Sequence, residues 1–166
     1  MKLFTGLVLI GGKSSRMGTD KSRLIMDKKY LYQIAADKLI PYCHRVFLSI
    51  NNQQAASQRF DYPVILDNYP ESGPVGAILS CFENGHPSIL VLAADMVSIT
   101  SDDITALMDI HTNDKNNCTM FYNDRTNHYE PLLSLWEKTM YSELKKYFDE
   151  GGRSLQKFLN QQSINL

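Results

Sequence analysis

Two short runs of consecutive apolar residues are the strongest pattern in the chain. They cover residues 7–10 and 89–94. Each run is too short for a helix and does not alternate with polar residues, which is typical of strands covered on both faces. Weaker β-rich runs lie at residues 46–50, 64–66, 119–122 and 132–136. The pattern predicts a set of largely buried strands.

Apolar residues between these runs recur every three or four positions, as on one face of a helix. This spacing predicts helices over Leu31 to Leu39, Ile104 to Met108, Trp136 to Phe148 and Leu155 to Leu159. Thr100-x-x-Asp103 is a capping pattern at the start of the second helix. Alternating strands and helices predict an α/β fold with a doubly wound, mostly parallel sheet and helices on both faces. Ligands of such sheets bind beyond the carboxyl ends of the strands.

The length and the net charge of the chain exclude some classes of function. The chain has 166 residues with 43% hydrophobic and 21% charged residues, which predicts a single domain over residues 1–166. Its 17 Lys and Arg residues balance 18 Asp and Glu residues, for a net charge of −1. Such a chain lacks the positive field needed for general binding to nucleic acid or to an anionic membrane. Any affinity for phosphate must therefore be local.

The cysteines indicate the compartment. Cys43, Cys81 and Cys118 are far apart and odd in number, which favours reduced core thiols over a zinc site or a redox pair. The apolar run at residues 7–10 leads into Gly11 and Gly12 instead of a signal-peptide cleavage site. No stretch approaches the roughly 18 apolar residues of a membrane span. We therefore expect a cytoplasmic protein.

A glycine-rich, basic segment follows the first predicted strand. Residues 9–21 read Leu-Ile-Gly-Gly-Lys-Ser-Ser-Arg-Met-Gly-Thr-Asp-Lys. Glycines let backbone N–H groups approach an anion closely, and Arg16 and Lys21 add positive charge. A P-loop would need glycine at position 7, which is Leu7, and the dinucleotide fingerprint fails at Lys13. The segment predicts another type of phosphate cradle, and a basic surface loop with turn glycines is the alternative.

The same segment resembles the signature of the molybdenum cofactor guanylyltransferases, Leu-x-Gly-Gly-x-Ser-x-Arg-Met-Gly-x-Asp-Lys, which the chain matches from Leu9 to Lys21. The resemblance implies a Rossmann-like nucleotidyltransferase fold. It also implies that catalysis depends on Arg16 and Lys21, which stabilise the triphosphate and the leaving pyrophosphate. The residues of this segment implied to bind GTP are Leu9, Ile10, Gly11, Gly12 and Lys21.

Two strand-end acids extend the resemblance. Asp67, followed by Gly73-Pro74, resembles the family's nucleotide-contacting Asp and the turn that opens its next helix; an Asp that only caps a turn is the alternative. Asp95 stands where the family holds its catalytic Mg²⁺ and would also contact GTP. Hard oxygen ligands suit Mg²⁺, and a cation would neutralise a charge at the end of a buried strand. Ala94 and Val97 depart from the family's Cys-Asp-x-Pro motif, so a capping role for Asp95 is the alternative.

Recognition of the base and of the acceptor falls on other positions. The family's nucleotide-binding Asn falls on Ser49, and we expect Asn51, two residues on and on the same strand face, to substitute for it. Glu130 is either a second metal ligand or a solvated loop residue. The segment around it and residues 151–155 lie, in the family, on the side that receives the pterin. Arg153 there either meets the pterin's phosphate or is solvated.

The resemblance thus implies Mg²⁺-dependent transfer of GMP from GTP to molybdopterin, with release of pyrophosphate. Transient contact with proteins that deliver or accept the cofactor would accompany it. Two alternatives stay open on the same fold. One is a cytidylyltransferase or a sugar-phosphate nucleotidyltransferase, and the other is a non-catalytic nucleotide-binding module.

Overall fold

Strands and helices alternate along most of the computed structural model, which describes residues 4–10, 24–114 and 117–162. A short 3-10 helix, Lys138–Met140, precedes the fifth α-helix. In chain order the other elements are β1 (Phe4–Leu9), β2 (Ile25–Met26), β3 (Lys29–Tyr30), α1 (Leu31–Leu39), β4 (Cys43–Ile50), α2 (Asn52–Ser57), β5 (Val64–Leu66), α3 (Pro74–Glu83), β6 (Ser88–Ala93), α4 (Ser101–Asp114), β7 (Cys118–Asn123), β8 (His128–Glu137), α5 (Tyr141–Asp149) and α6 (Leu155–Gln161).

Within the described residues, six strands form one sheet in the order β5-β4-β1-β6-β8-β7. The first four strands of this order are parallel to one another, and β8 is antiparallel to both β6 and β7. The register places Leu9 beside both Ser49 and Ala93, and Ile50 beside Leu66. The ends of β5, β4, β1 and β6 therefore lie together, and we call the residues that follow them the carboxyl edge.

Helices cover both faces of this sheet. Leu39 of α1 and Leu107 of α4 pack in a core on one face, whereas α3, α5 and α6 pack in a second core on the other face. Successive residues of β1 alternate between the two, with Val8 in the first core and Leu7 in the second. Burial on both faces explains why residues 7–10, at the end of β1 and directly after it, are continuously apolar. The predicted α/β fold, mostly parallel and covered on both faces, is confirmed.

The predicted elements are present, with one error of assignment. Each predicted strand is confirmed, and the helices at residues 31–39, 101–114 and 155–161 coincide with predicted ones. Trp136 is not helical: it is a buried residue of β8, and its indole N–H donates to the Ser134 hydroxyl at 2.8 Å. Its distance of four residues from Met140 imitates a helical period, but the α-helix begins only at Tyr141.

The cysteines occupy the core as predicted. Cys43, Cys81 and Cys118 are buried and free of disulfides. Burial raises the pKa of the Cys81 thiol to about 12, which keeps it protonated and unreactive near neutral pH. No helix among the described residues is long and apolar enough to cross a membrane.

Candidate active site

Several of the predicted site residues follow parallel strands and lie at the carboxyl edge. Ile10 follows β1, Asp67 follows β5, and Asp95 lies two residues beyond the end of β6. Backbone hydrogen bonds continue the ladder past the strands, since Asp67 N–H donates to the Ile50 carbonyl at 2.8 Å and Ala94 N–H donates to the Leu9 carbonyl at 3.1 Å. Leu9, a further predicted contact of the nucleotide, is the last residue of β1 and is buried.

The glycine-rich segment begins at this edge. Gly11, Gly12, Arg16 and Lys21 lie outside the described residues, so their predicted roles stay predictions. Next to the segment, the Gln54 side chain donates Nε2–H to the Ile10 carbonyl at 3.4 Å. Gln54 is buried in the first turn of α2, where it holds the residue that leads into the segment. Sequence reasoning missed Gln54, although Asn51-x-x-Gln54 has the spacing of a capping box.

The two residues predicted to read the base differ in their surroundings. Ser49 is buried inside the sheet, between Leu9 and Ile65. Asn51 does not lie on the strand, because β4 ends at Ile50 and Asn51 caps α2. Its Oδ1 accepts the backbone N–H of Gln54 at 2.8 Å. The expectation that Asn51 lies on the strand beside Ser49 is therefore wrong, since Asn51 follows the last strand residue and its side chain caps α2.

Asp67 forms a hydrogen-bonded turn at the end of β5. Its Oδ1 accepts the backbone N–H of Tyr69 at 2.8 Å and lies 3.4 Å from the Ser80 hydroxyl. Burial raises the pKa of the Asp67 carboxyl, and the bonds from Tyr69 and Ser80 offset that effect only in part. Oδ1 of Asp67 thus caps the turn, as in the predicted alternative. A half-buried carboxyl with a raised pKa, next to the carboxyl edge where ligands of such sheets bind, is also typical of a functional site.

Asp95 lies in an exposed turn, and the chain after it contacts Lys38 of α1 and Tyr42, which follows α1. The Lys38 ammonium donates to the Val97 carbonyl at 2.7 Å, and the Tyr42 hydroxyl donates to the Ser101 carbonyl at 2.9 Å. Burial lowers the pKa of Lys38. These two contacts fix the chain at Val97 and Ser101, so the Asp95 carboxylate lies on a tethered turn.

Glu130 lies in a strand, which differs from the predicted alternative of a solvated loop residue. It lies near the start of β8 and is partly buried. Leu133 pairs with Leu92, and Glu130 precedes Leu133 by the same three residues that separate Leu92 from Asp95. Both acids therefore lie beyond the last pair of this antiparallel ladder, at the same end of the sheet. No group of three or more His, Cys, Asp or Glu side chains suited to a metal occurs in the described part of the chain.

A cavity of about 440 Å³ lies at the turn between α5 and α6, where Gly151, Gly152, Arg153 and Lys157 contribute to its lining. The Arg153 guanidinium lies 3.9 Å from the centre of the Phe148 ring. One of its nitrogens, Nη1, donates to the carbonyls of Phe148 and Gly152, at 2.8 Å each. Arg153 is thus exposed but not simply solvated, because packing and two hydrogen bonds fix its position beside the cavity.

Comparison with protein families gives one match over nearly the whole chain. A family described as MobA-like NTP transferase domain matches residues 6–165. A molybdenum cofactor guanylyltransferase of Haemophilus influenzae is 26% identical over 160 residues, which cover 95% of this chain and 82% of the relative. The enzyme of the same name from Serratia proteamaculans is 28% identical over 158 residues, covering 94% of this chain and 79% of the relative.

Solved structures share the fold. Molybdopterin-guanine dinucleotide biosynthesis protein A from Archaeoglobus fulgidus superposes with a TM-score of 0.77 at 20% identity, covering 95% of this chain and 80% of that one. The 4-diphosphocytidyl-2C-methyl-D-erythritol synthase of Anaerococcus prevotii superposes with a TM-score of 0.61 at 9% identity, covering 93% and 80%. At these identities the likeness concerns the fold alone.

Proposed function

Because the chain belongs to the family of MobA-like NTP transferase domains and is a nucleotidyltransferase, we propose that it transfers GMP from GTP to molybdopterin. The family match over residues 6–165 carries this proposal. The arrangement of the carboxyl edge supports it, since Asp67 and Asp95 follow parallel strands of the same sheet. Ligands of doubly wound sheets bind at this edge.

The proposed reaction is an in-line displacement at phosphorus. A terminal phosphate oxygen of molybdopterin forms a bond to the α-phosphorus of GTP, and the bond from that phosphorus to the bridging oxygen breaks. Pyrophosphate leaves with the electron pair. The attacking phosphate is already ionised near neutral pH, so the protein does not need a general base. Its tasks are alignment and stabilisation of charge on the phosphate oxygens.

Residues of the glycine-rich segment take the phosphates in this proposal. The backbone N–H groups of Gly11 and Gly12 donate to phosphate oxygens. Lys21 and Arg16 stabilise the triphosphate and the negative charge that develops on the leaving pyrophosphate. Asp67 contacts the nucleoside part of GTP, with Ser49 near the end of β4 and Asn51 directly after that strand.

Asp95 is the proposed protein ligand of Mg²⁺. The fit rests on donor chemistry: an exposed carboxylate on a tethered turn, with no cluster of three or more acidic, His or Cys side chains among residues 4–10, 24–114 and 117–162. Mg²⁺ suits such a place, because it binds through one or two carboxylates together with substrate phosphates and water. When bound, Mg²⁺ would neutralise charge on the phosphate oxygens as a Lewis acid.

The cavity beside Arg153 is the proposed site of the acceptor. It lies near the Asp67 turn, because the Tyr69 ring contacts Phe148 with ring centres 4.8 Å apart, and Phe148 carries the Arg153 guanidinium. Arg153 retains donors besides Nη1 that suit a phosphate monoester. Lys157 adds a second positive charge to the lining.

Further parts of the proposal concern the whole chain. We propose one nucleotidyltransferase domain over residues 1–166. The buried free thiols suit a reducing cytoplasm, and proteins that deliver or accept the cofactor would be transient partners.

Release of pyrophosphate tests the choice of substrates. The purified protein is assayed with GTP or CTP, each with molybdopterin or with a sugar phosphate, in the presence of Mg²⁺. The proposal predicts turnover with GTP and molybdopterin. Strong turnover with CTP and none with GTP would make the protein a cytidylyltransferase. Nucleotide binding without turnover in any combination would favour the non-catalytic alternative.

A further inference from the structure

One face of α3 packs against the turn that carries Asp67. Gly76, Ser80 and Glu83 are separated by four and three residues, so they share a helix face. A Cβ atom at Gly76 would lie 2.9 Å from Asp67 Oδ1 and 2.8 Å from Tyr69 Cβ. The helix backbone therefore approaches the turn as closely as only glycine allows.

Ser80 makes the second contact of this face. Its hydroxyl oxygen accepts the backbone N–H of Asn68 at 2.9 Å, and the hydroxyl donates to the Gly76 carbonyl at 2.8 Å. The Asn68 side chain donates Nδ2–H to Glu83 Oε2 at 3.3 Å. The residue after Asp67 is thus bound to α3 through both its backbone and its side chain.

Glu83 makes the third contact and has two phenol donors. The hydroxyls of Tyr69 and Tyr141 both donate to Glu83 Oε1, the latter at 2.9 Å. Burial opposes ionisation of Glu83, but hydrogen bonds from Tyr69, Tyr141 and Asn68 outweigh it and lower the pKa of the carboxyl. Glu83 is therefore a charged acceptor near neutral pH, and charge strengthens its hydrogen bonds.

Tyr69 connects this carboxylate to the site. Its backbone N–H donates to Asp67 Oδ1 at 2.8 Å, and its ring contacts Phe148 at 4.8 Å between centres. The Lys145 ammonium lies 5.8 Å from the centre of the same ring. A shift of the Tyr69 side chain would therefore move the backbone donor that fixes the Asp67 carboxylate.

Resting on the proposed role of Asp67 in binding GTP, we propose that Glu83 is a positioning residue of the nucleotide site. It holds the Tyr69 hydroxyl, and through Tyr69 it fixes the carboxylate of Asp67. Glu83 itself does not contact the substrates in this account. Tyr141 donates to the same oxygen of Glu83 from α5, but its hydroxyl bonds no residue of the Asp67 turn.

The pair of tyrosines provides the test. Tyr69→Phe removes the hydroxyl held by Glu83 and keeps the ring against Phe148, whereas Tyr141→Phe removes the other phenol bond to the same oxygen. Calorimetry with GTP and Mg²⁺ and without acceptor gives the dissociation constant, and steady-state assays give kcat and KM. We expect Tyr69→Phe to raise the dissociation constant and the KM for GTP roughly tenfold, as for a lost hydrogen bond to a charged group. The kcat at saturating GTP should be unchanged, as expected when uniform binding is lost.

Variants of Glu83 separate positioning from general stability. Glu83→Ala should weaken GTP binding like Tyr69→Phe, and Glu83→Gln, which keeps an acceptor oxygen, should restore most of it. In the double variant Tyr69→Phe with Glu83→Ala, the loss should be no larger than with Glu83→Ala alone, because both changes break one linkage. Tyr141→Phe should lower the thermal midpoint but leave the dissociation constant of GTP within about a factor of two.

Three results would overturn the proposal. Equal weakening by Tyr69→Phe and Tyr141→Phe would mean that GTP binding follows stability alone. Unchanged GTP binding in Tyr69→Phe and Glu83→Ala, with weaker binding in Asp67→Ala, would refute the positioning role and leave the proposed function intact. Unchanged binding in Asp67→Ala would refute the role of Asp67 on which this proposal rests.

Discussion

At the scale of one residue, the fold disfavours the charge on the Asp67 carboxylate by burying it and compensates in part with hydrogen bonds. Burial raises the pKa of its carboxyl, and the hydrogen bonds from Tyr69 and Ser80 only partly oppose this. The folded chain therefore penalises the ionised form relative to the unfolded chain. Groups kept under such a penalty cluster at functional sites, in line with the proposed contact to GTP.

Asp67→Asn should separate stability from function. The amide keeps an oxygen that can accept from Tyr69 N–H but removes the desolvated charge. Because the folded-state pKa is raised above the value of 3.8, ionisation lowers stability as pH rises through and above that range. We therefore expect the variant to be at least as stable as the wild type in urea near neutral pH and to bind GTP more weakly. A large loss of stability with unchanged binding would make Asp67 a turn cap only.

Gly76 lies where the packing leaves no room for a side chain. Since a Cβ at this position would lie 2.8 Å from Tyr69 Cβ, Gly76→Ala must displace the Asp67 turn or the helix. We expect a loss of about 1–3 kcal/mol in the free energy of unfolding, as for overpacked cores, together with weaker binding of GTP. Gly→Ala in an open helix position is stabilising instead, so a more stable Gly76→Ala variant would contradict the close packing described here.

The sequence predicted which acids lie at the carboxyl edge but did not predict the contacts that support them. Asp67 and Asp95 were predicted because each follows an apolar run at a place where the family has a functional Asp, and the structure places both at the carboxyl edge. Tyr69 and Glu83 were not predicted, because the hydrogen bonds to Glu83 join residues that are 14 and 58 positions apart in the sequence. Such contacts depend on how α3 and α5 pack on the sheet, which hydrophobic periodicity does not specify.

At the scale of elements, apolar runs predicted the strands, whereas α3, buried from Val75 to Phe82, has no polar face that would give it a helical period. The capping pattern before α4 is present, since Asp103 Oδ2 accepts from Thr100 N–H at 2.8 Å and Thr100 Oγ1 accepts from Asp103 N–H at 3.2 Å. The short hairpin β2–β3 is exposed and α2 is mostly polar, so neither has an apolar period. Trp136 was misassigned because four residues to Met140 is also a helical distance.

The turn between α5 and α6 contains two glycines that are needed for different reasons. Gly151 has a φ of 93° and an open surrounding, whereas a Cβ at Gly152 would lie 2.3 Å from the Tyr147 ring. That ring is not free to move, because its hydroxyl donates to the Ser154 carbonyl at 2.9 Å.

Gly152→Ala should therefore change the shape of the cavity, and Gly151→Ala should only strain the backbone, by about 1–2 kcal/mol. If the cavity receives the acceptor, the KM for molybdopterin should rise much more in Gly152→Ala than in Gly151→Ala, with the KM for GTP unchanged in both. Steady-state assays at fixed GTP measure this. Equal acceptor KM values in the two variants would place the acceptor elsewhere.

At the scale of the whole molecule, titrating groups gather at the edge opposite the site. The Thr5 hydroxyl at the start of the sheet lies 3.2 Å from His86 Nδ1 and 3.5 Å from His44 Nε2. Burial lowers the pKa of His86, and the nearby His44 and Arg45 lower it further. Arg45 also stacks on Phe47, whose ring contacts His86.

This arrangement predicts acid sensitivity of the fold. The folded-state pKa of His86 is below its ordinary value of 6.5, so the unfolded chain binds the proton more readily. Stability should therefore fall as pH drops through and below that value. In urea denaturation, His86→Gln should reduce the loss between about pH 7.5 and about pH 5.5. An unchanged loss in His86→Gln would assign the sensitivity to other groups.

The near-neutral charge of the chain bears on the proposed binding of phosphate at the carboxyl edge. With a net charge of −1, attraction of a triphosphate must come from local groups and a bound cation. In the proposed arrangement both substrates share this edge, with GTP between Asp67 and Asp95 and the acceptor beside Arg153. In this proposal, binding of the metal, binding of the nucleotide and the transfer all depend on Asp95.

The most direct test of this account is formation of the guanine dinucleotide product by Asp95 variants. Wild type, Asp95→Ala and a matched control, Asp109→Ala on the exposed side of α4, are incubated with GTP, molybdopterin and Mg²⁺, and the product is quantified by mass spectrometry. We expect product from wild type and control, and none from an Asp95→Ala variant that keeps the wild-type circular dichroism spectrum. Wild-type levels of product from Asp95→Ala would contradict this expectation.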